Sequence, residues 1–335
     1  VRKATLLPFD LNAVRSNREM LGNTIRETPM LLFPKSDAKS WPAELWLKLE
    51  AMQITGSFKV RGALSVLNML SPAQKAQGLV TVSSGNHAIA TAYGASLHNC
   101  NARIYMSCTS DSYRISRARS LGADIRLVPD VLSAFEEAER AVISEGRVFV
   151  HPFEGAQTSL GNASLSLELD AQLPHDVDVF VVAIGGGGLA SGVAPTIKML
   201  RPGARVIGVE PEGAPTLTLS LSRGSPTRLS AVETIADSLA PPMTGANTFA
   251  LVRDFVDEVL LVTDEQIRRS SRMLLEELKL FIEPSGAAAL AAILAYPDRF
   301  AARRICAIVC GSNIGLNRYQ QLVDPVSAEG GLPRR

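Results

Sequence analysis

Cysteine is scarce in this chain, with four in 335 residues, at Cys100, Cys108, Cys306 and Cys310. No two are spaced as CxxC and the four histidines are scattered, which argues against a disulfide framework or a structural zinc site. An excess of either charge is lacking too. Lysine and arginine number 34, aspartate and glutamate 33, and the formal net charge is +1, so no charge-driven attraction to nucleic acid or a membrane surface is expected. Apolar runs long enough to span a bilayer are missing. The opening VRKATLLPFD has no signal-peptide core, and its lack of methionine suggests that the natural N-terminus lies upstream. There is no internal repeat or low-complexity segment. What remains is 46% hydrophobic and 20% charged, an ordinary globular composition expected in the cytoplasm, with length enough for about two domains.

Strand-like and helix-like stretches alternate along the chain. Residues 44–49, 79–82, 102–106, 124–128 and 148–150 predict short strands, with helical patterns at 87–97, 113–121 and 132–144. A second series begins after His151-Pro152. Residues 177–183 form a nearly continuous valine-rich run, as in a strand buried on both faces, and 205–209, 259–262 and 305–309 follow. Thr263-Asp264-Glu265-Gln266 spells a capping box, and Pro284 interrupts the helices beyond it. This alternation predicts two open parallel-sheet α/β domains with a cleft between them, where ligands gather beyond the carboxyl ends of the strands.

Four constellations carry chemistry. Gly185-Gly186-Gly187-Gly188-Leu189 lies between a buried strand and a helix. Bare amides there turn toward one point at a helix N-terminus, which makes a phosphate cradle; a tight turn alone needs only one or two glycines. The run loosely fits G-x-G-x-x-A, and Glu210 closes the next strand where a dinucleotide fold places a ribose-binding acid. A nicotinamide-dependent oxidoreductase is therefore one reading, whereas the missing P-loop lysine disfavours an ATPase. Ser83-Ser84-Gly85-Asn86-His87 occupies another strand-to-helix turn, either as a plain serine cap or as a carboxylate site. Cys310-Gly311-Ser312-Asn313 follows a third strand, with Cys310 by default a small core residue. Lys59 sits between Phe58 and Val60, with Thr55, Ser57 and Arg61 close by. A lysine in an apolar setting has a lowered pKa and can attack an aldehyde. A phosphate cradle, an anion-binding turn and an amine nucleophile together describe a site for pyridoxal phosphate.

In these motifs, and in Gly56-Ser57-Phe58-Lys59-Val60-Arg61-Gly62-Ala63 and Glu283-Pro284-Ser285-Gly286-Ala287, the chain resembles the threonine/serine dehydratases and serine racemases over roughly residues 21–316. These are fold-type II, tryptophan synthase β-like pyridoxal-phosphate enzymes. The resemblance implies a large cofactor domain at 1–55 and 151–325, a small domain at 56–150 and a loose tail at 326–335. It implies that Lys59 holds the cofactor covalently, Phe58 packs on its ring and Asn86 meets the ring hydroxyl. Gly185, Gly186, Gly187, Gly188 and Leu189 would bind the phosphate. Cys310 would face the pyridine nitrogen, which a neutral thiol cannot keep protonated as an aspartate would. Ser83, Ser84, Gly85, Asn86 and His87 would surround the carboxylate of an amino-acid substrate. Gly56 and Gly62 would give the backbone clearance beside the cofactor.

The implied reaction removes water from a 3-hydroxy amino acid such as L-threonine or L-serine and yields a 2-oxo acid and ammonia, with Lys59 as the base. Ser84 stands where serine racemases carry a second acid/base serine, so a serine or aspartate-type racemase and a 3-hydroxyaspartate dehydratase stay open. Glu210 matches one carboxylate of a divalent-cation site in racemase-like members, but Thr216 replaces the acid six residues on, and no metal is expected there. Phe153-Glu154-Gly155 departs from the commoner family wording, so a different substrate pocket is expected. A homodimer is also implied. No regulatory domain is expected after the last motif.

Overall fold

The computed structural model describes residues 7–34 and 41–323; the tail at 326–335 lies outside them. Two sheets organise the chain. The larger has six strands: β1 (Met30–Leu32), β2 (Glu44–Lys48), β7 (Val179–Ala183), β8 (Arg205–Pro211), β9 (Glu258–Val262) and β10 (Arg304–Ile308). Their spatial order is β1-β2-β10-β7-β8-β9, and only the β1–β2 pair is antiparallel. The smaller sheet is wholly parallel, in the order β5-β4-β3-β6, from β3 (Leu79–Val82), β4 (Ala102–Ser107), β5 (Asp124–Val128) and β6 (Val148–Phe149).

Every residue of β7 is buried, because helices cover both faces of the sheet. Helices Ala156–Gln172 and Gly188–Leu200 pack on it with Pro284–Ala295, whose alanine-rich sequence permits burial nearly all round. The capping box at Thr263 is present: its hydroxyl accepts from the Gln266 amide while the Gln266 side chain accepts from the Thr263 amide. Among the described residues, no helix is long and apolar enough to cross a membrane.

Candidate active site

Three loops at carboxyl ends of strands build the site. The turn after β3 carries Ser83 to His87, the turn after β7 carries the four glycines, and the turn after β10 carries Cys310. The segment before helix Lys59–Met69 is stitched to the third. The Phe58 amide donates to the Cys310 carbonyl at 3.2 Å, the Ser312 amide donates to the Gly56 carbonyl at 2.9 Å, and Ser57 bridges to Gly311. A small cavity of about 30 Å³ is lined by Phe58, Lys59, Asn86, the glycine turn and Cys310. A larger one of about 420 Å³ is lined by Lys59, Ser83, Ser84, Gly85, Asn86 and His87 among others. Lys59, Phe58, Cys310, residues 185–189 and residues 83–87 therefore line one or both cavities, whereas Glu210, Gly56 and Gly62 line neither.

Lys59 opens its helix, and its Nζ donates to the Pro152 carbonyl at 2.6 Å. Burial lowers its pKa to about 8, against the opposing pull of Cys310 and Glu283. Burial pushes the Cys310 thiol up to about 12, with Glu283 acting the same way, so the sulfur is neutral; it lies 3.4 Å from the Ser285 carbonyl. The glycine turn admits only glycine. Gly187 has φ +89° and a Cβ on Gly186 would stand 2.4 Å from the Phe153 ring. Backbone amides at the start of Gly188–Leu200 are thus left bare, and the first amides of a helix have no intrahelical partner. A bare cradle, a buried amine of lowered pKa and a neutral thiol beside one small cavity fit the phosphate, aldehyde and pyridine nitrogen of pyridoxal phosphate.

Asn86 is held at both ends. Its Nδ2 donates to Glu283 at 2.5 Å and to Ser238 at 3.3 Å, and its Oδ1 accepts from Asn313 at 2.6 Å. The hydroxyls of Ser83 and Ser84 accept from the amides of Gly85 and Ser107 at 3.2 and 3.4 Å. His87 is buried, with Nε2 3.1 Å from the Val150 carbonyl; burial, aided by Lys59, lowers its pKa to about 3 and keeps it neutral.

Several placements differ from expectation. Arg61, two residues from Lys59, points to the other side of the helix and pairs with Glu50 at 2.7 Å and Glu168 at 2.8 Å. A Cβ on Gly56 would meet the Asn313 side chain, and one on Gly62 would meet Thr158 on a neighbouring helix, so their clearance serves packing against protein. Glu210 accepts from the Leu217 amide at 2.7 Å, the Thr218 amide at 2.8 Å and the Thr218 hydroxyl at 2.7 Å. Both its oxygens cap helix Thr216–Arg223, and burial raises its pKa to about 7. Neither a ribose acid nor a cation ligand describes that geometry. Among the described residues no cluster of three or more His, Cys, Asp or Glu side chains could hold a metal ion.

Other members escaped the sequence reading. Arg114 is almost fully buried and donates to Asp237 at 2.8 and 3.0 Å, to Glu283 at 3.0 Å and to the Asn313 carbonyl at 2.6 Å. The available signal was its place four residues before Ala118, on the buried face of a helix that otherwise bears exposed arginines. Glu283 lay in a quoted motif without a role. Burial raises its pKa against the pull of Arg114.

A family model described as pyridoxal-phosphate dependent enzyme matches residues 21–311. The chain is 39% identical over 311 residues to phenylserine dehydratase of Ralstonia pickettii, covering 92% of this chain and 94% of that protein. It is 35% identical over 315 residues to L-threonine ammonia-lyase of Thermotoga maritima, covering 94% and 78%. The solved structure of maize serine racemase aligns with a TM-score of 0.87 at 32% identity, over 96% of this chain and 99% of that one.

Proposed function

This chain belongs to the pyridoxal-phosphate-dependent enzymes, and from that premise we propose that it removes water from a 3-hydroxy amino acid, yielding a 2-oxo acid and ammonia. The observation that carries this reading is Lys59, a buried amine with a pKa near 8 set between the glycine cradle and Cys310. The relatives named as phenylserine dehydratase and L-threonine ammonia-lyase support the substrate class.

Bound pyridoxal phosphate supplies a sink for the electron pair left at Cα. The glycine turn would hold its phosphate, Phe58 would line its ring, Asn86 would meet its hydroxyl and Cys310 its nitrogen. The amides at Ser83–His87 hold the substrate carboxylate at a helix N-terminus. Lys59, its pKa lowered by burial, takes the proton from Cα. The C3–O bond then breaks as its oxygen takes up a proton, the equivalent of the one Lys59 removed, and water leaves; hydrolysis of the released enamine takes water back and frees ammonia. Residues 56–150 would form the small domain against 1–55 and 151–325, in a cytoplasmic homodimer whose assembly sedimentation would check.

Racemisation is the second reading, favoured by Ser84 lining the same cavity as Lys59. The purified yellow protein should release 2-oxo acid and ammonia from L-serine or L-threonine, and Lys59→Ala should reduce this at least about 100-fold. A yellow protein that releases no 2-oxo acid from any 3-hydroxy amino acid contradicts the lyase reading. Interchange of serine enantiomers that disappears in Ser84→Ala would establish racemisation beside it.

A further inference from the structure

We propose that the outer end of the larger cavity is an aryl-binding subsite, so that the substrate carries a bulky aromatic group on C3. This rests on the dehydratase reading above and selects among 3-hydroxy amino acids. The cavity, about 420 Å³, is polar where Lys59 and the Ser83–His87 turn meet it. Elsewhere polar groups such as Ser107, Arg114 and Asp237 share the wall with one contiguous apolar stretch. Val131, Leu132 and Phe135 come from the first turns of helix Val131–Glu145, and Pro241, Pro242 and Met243 come from a loop. Val131, Leu132, Phe135 and Met243 are 43%, 56%, 39% and 46% exposed. Large apolar side chains gathered in one concavity and left to water mark a place where something apolar binds.

The helix shows how the sequence arranges this. Ala134, Ala138 and Ala141 pack against Val80, Val82 and Tyr105 of the smaller sheet. Positions 131, 132 and 135 share another face and carry the large groups. An aromatic row then runs inward. Phe135 lies 6.3 Å from Phe149, Phe149 5.8 Å from His151 and His151 4.6 Å from Phe153, the last two pairs edge-on. Phe153 covers the glycine turn, so the row connects the apolar end with the cradle. Edge-to-face contacts of this kind are the ones an added aryl ring would extend. A methyl group, as in threonine, is too small to cover this wall, whereas a phenyl ring withdraws a large apolar area from water. The chemistry is unchanged: Cα–H and C3–O break, water leaves and returns, and a 3-aryl-2-oxo acid and ammonia result. Arg228 also lines the cavity and would suit a second carboxylate instead, so 3-hydroxyaspartate is the competitor to be tested.

The holoenzyme should be assayed with L-serine, L-threonine, L-threo-3-phenylserine and 3-hydroxyaspartate. We expect kcat/KM for phenylserine to exceed that for threonine by at least about tenfold. Leu132→Ser and Phe135→Ala should each lower the phenylserine-to-serine ratio about tenfold. Leu132 is the more exposed, so its variant keeps the test open if Phe135→Ala folds poorly. Calorimetry supplies a readout apart from turnover, in that 3-phenyllactate should bind the holoenzyme at least about tenfold tighter than lactate. Turnover of serine and threonine with phenylserine no better, or with 3-hydroxyaspartate preferred, overturns the aryl subsite and leaves the dehydratase reading standing. Tight phenyllactate binding without 2-oxo acid from any substrate supports the subsite and overturns the dehydratase reading.

Discussion

Lys59 occupies the first position of its helix, where the backbone dipole already opposes a positive charge. Burial adds to this, and the amine is brought to about 8. The same enclosure acts on its neighbours. His87 is held neutral down to about 3, first by burial and then by Lys59, and His151 down to about 4, by burial with Lys59 helping against Glu154. An unfolded histidine titrates near 6.5. Between that value and the folded ones the unfolded chain binds more protons, so stability is full above about pH 6.5 and falls as the pH drops toward 3. His87→Gln keeps a donor for the Val150 carbonyl and removes one of the two titrations. Urea denaturation between pH 6.5 and 4 should therefore show a shallower loss of stability in this variant, with His151 accounting for the remainder. An unchanged slope would mean that His87 is not held neutral by the fold.

At the scale of elements, the helix Lys59–Met69 faces two ways. Its Lys59 side serves the site and its Arg61 side enters a closed ionic cluster. There Arg61 lies between Glu50 and Glu168, Lys48 Nζ donates to Glu168 at 2.8 Å, and Thr28 Oγ1 donates to Glu50 at 2.6 Å. Arg61, Lys48 and Glu50 have no exposed surface. Removing one partner of such a cluster leaves uncompensated buried charge, so Arg61→Met should cost about 3–5 kcal/mol in urea unfolding. A cost below about 1 kcal/mol would place the cluster with exposed pairs.

This cluster also explains where the sequence is opaque. The strands at 79–82, 124–128 and 205–209 and the Thr263 cap are legible because short β-branched and apolar segments between helical patterns, and a short-range hydrogen-bond pattern, mark them. The helix Ala156–Gln172 is not, because its buried face carries Thr158, Ser159, Asn162, Ser164 and Glu168. A polar face turned inward to meet Arg61 and a neighbouring helix leaves no apolar stripe to read. The site divides in the same way. Glycines, Lys59 and Cys310 stand in contiguous motifs, whereas Arg114 gains its meaning only from partners 123, 169 and 199 residues away.

On the scale of the whole molecule, Arg114 joins the two sheets' surroundings. Its helix, Ser112–Ser120, flanks the four-stranded sheet, while Asp237, Glu283 and the Asn313 carbonyl belong to segments around the six-stranded one. Burial opposes its charge, but Asp237 and Glu283 outweigh that and hold the guanidinium protonated. One oxygen of Glu283 takes Arg114 and the other takes Asn86, so the clasp across the cleft also orients a residue of the site. Arg114 is thus a positioning residue. Arg114→Met strips Glu283 of its counter-charge, and a buried carboxyl whose pKa is already raised then takes up a proton. We expect kcat/KM to fall at least about tenfold, and amide exchange at residues 83–87 to quicken as the contacts held by Arg114 open more often. Lysine offers a point charge but no planar fork, so Arg114→Lys should recover only part of both. Lost activity with unchanged exchange at 83–87 would confine Arg114 to local contacts and refute the clasp.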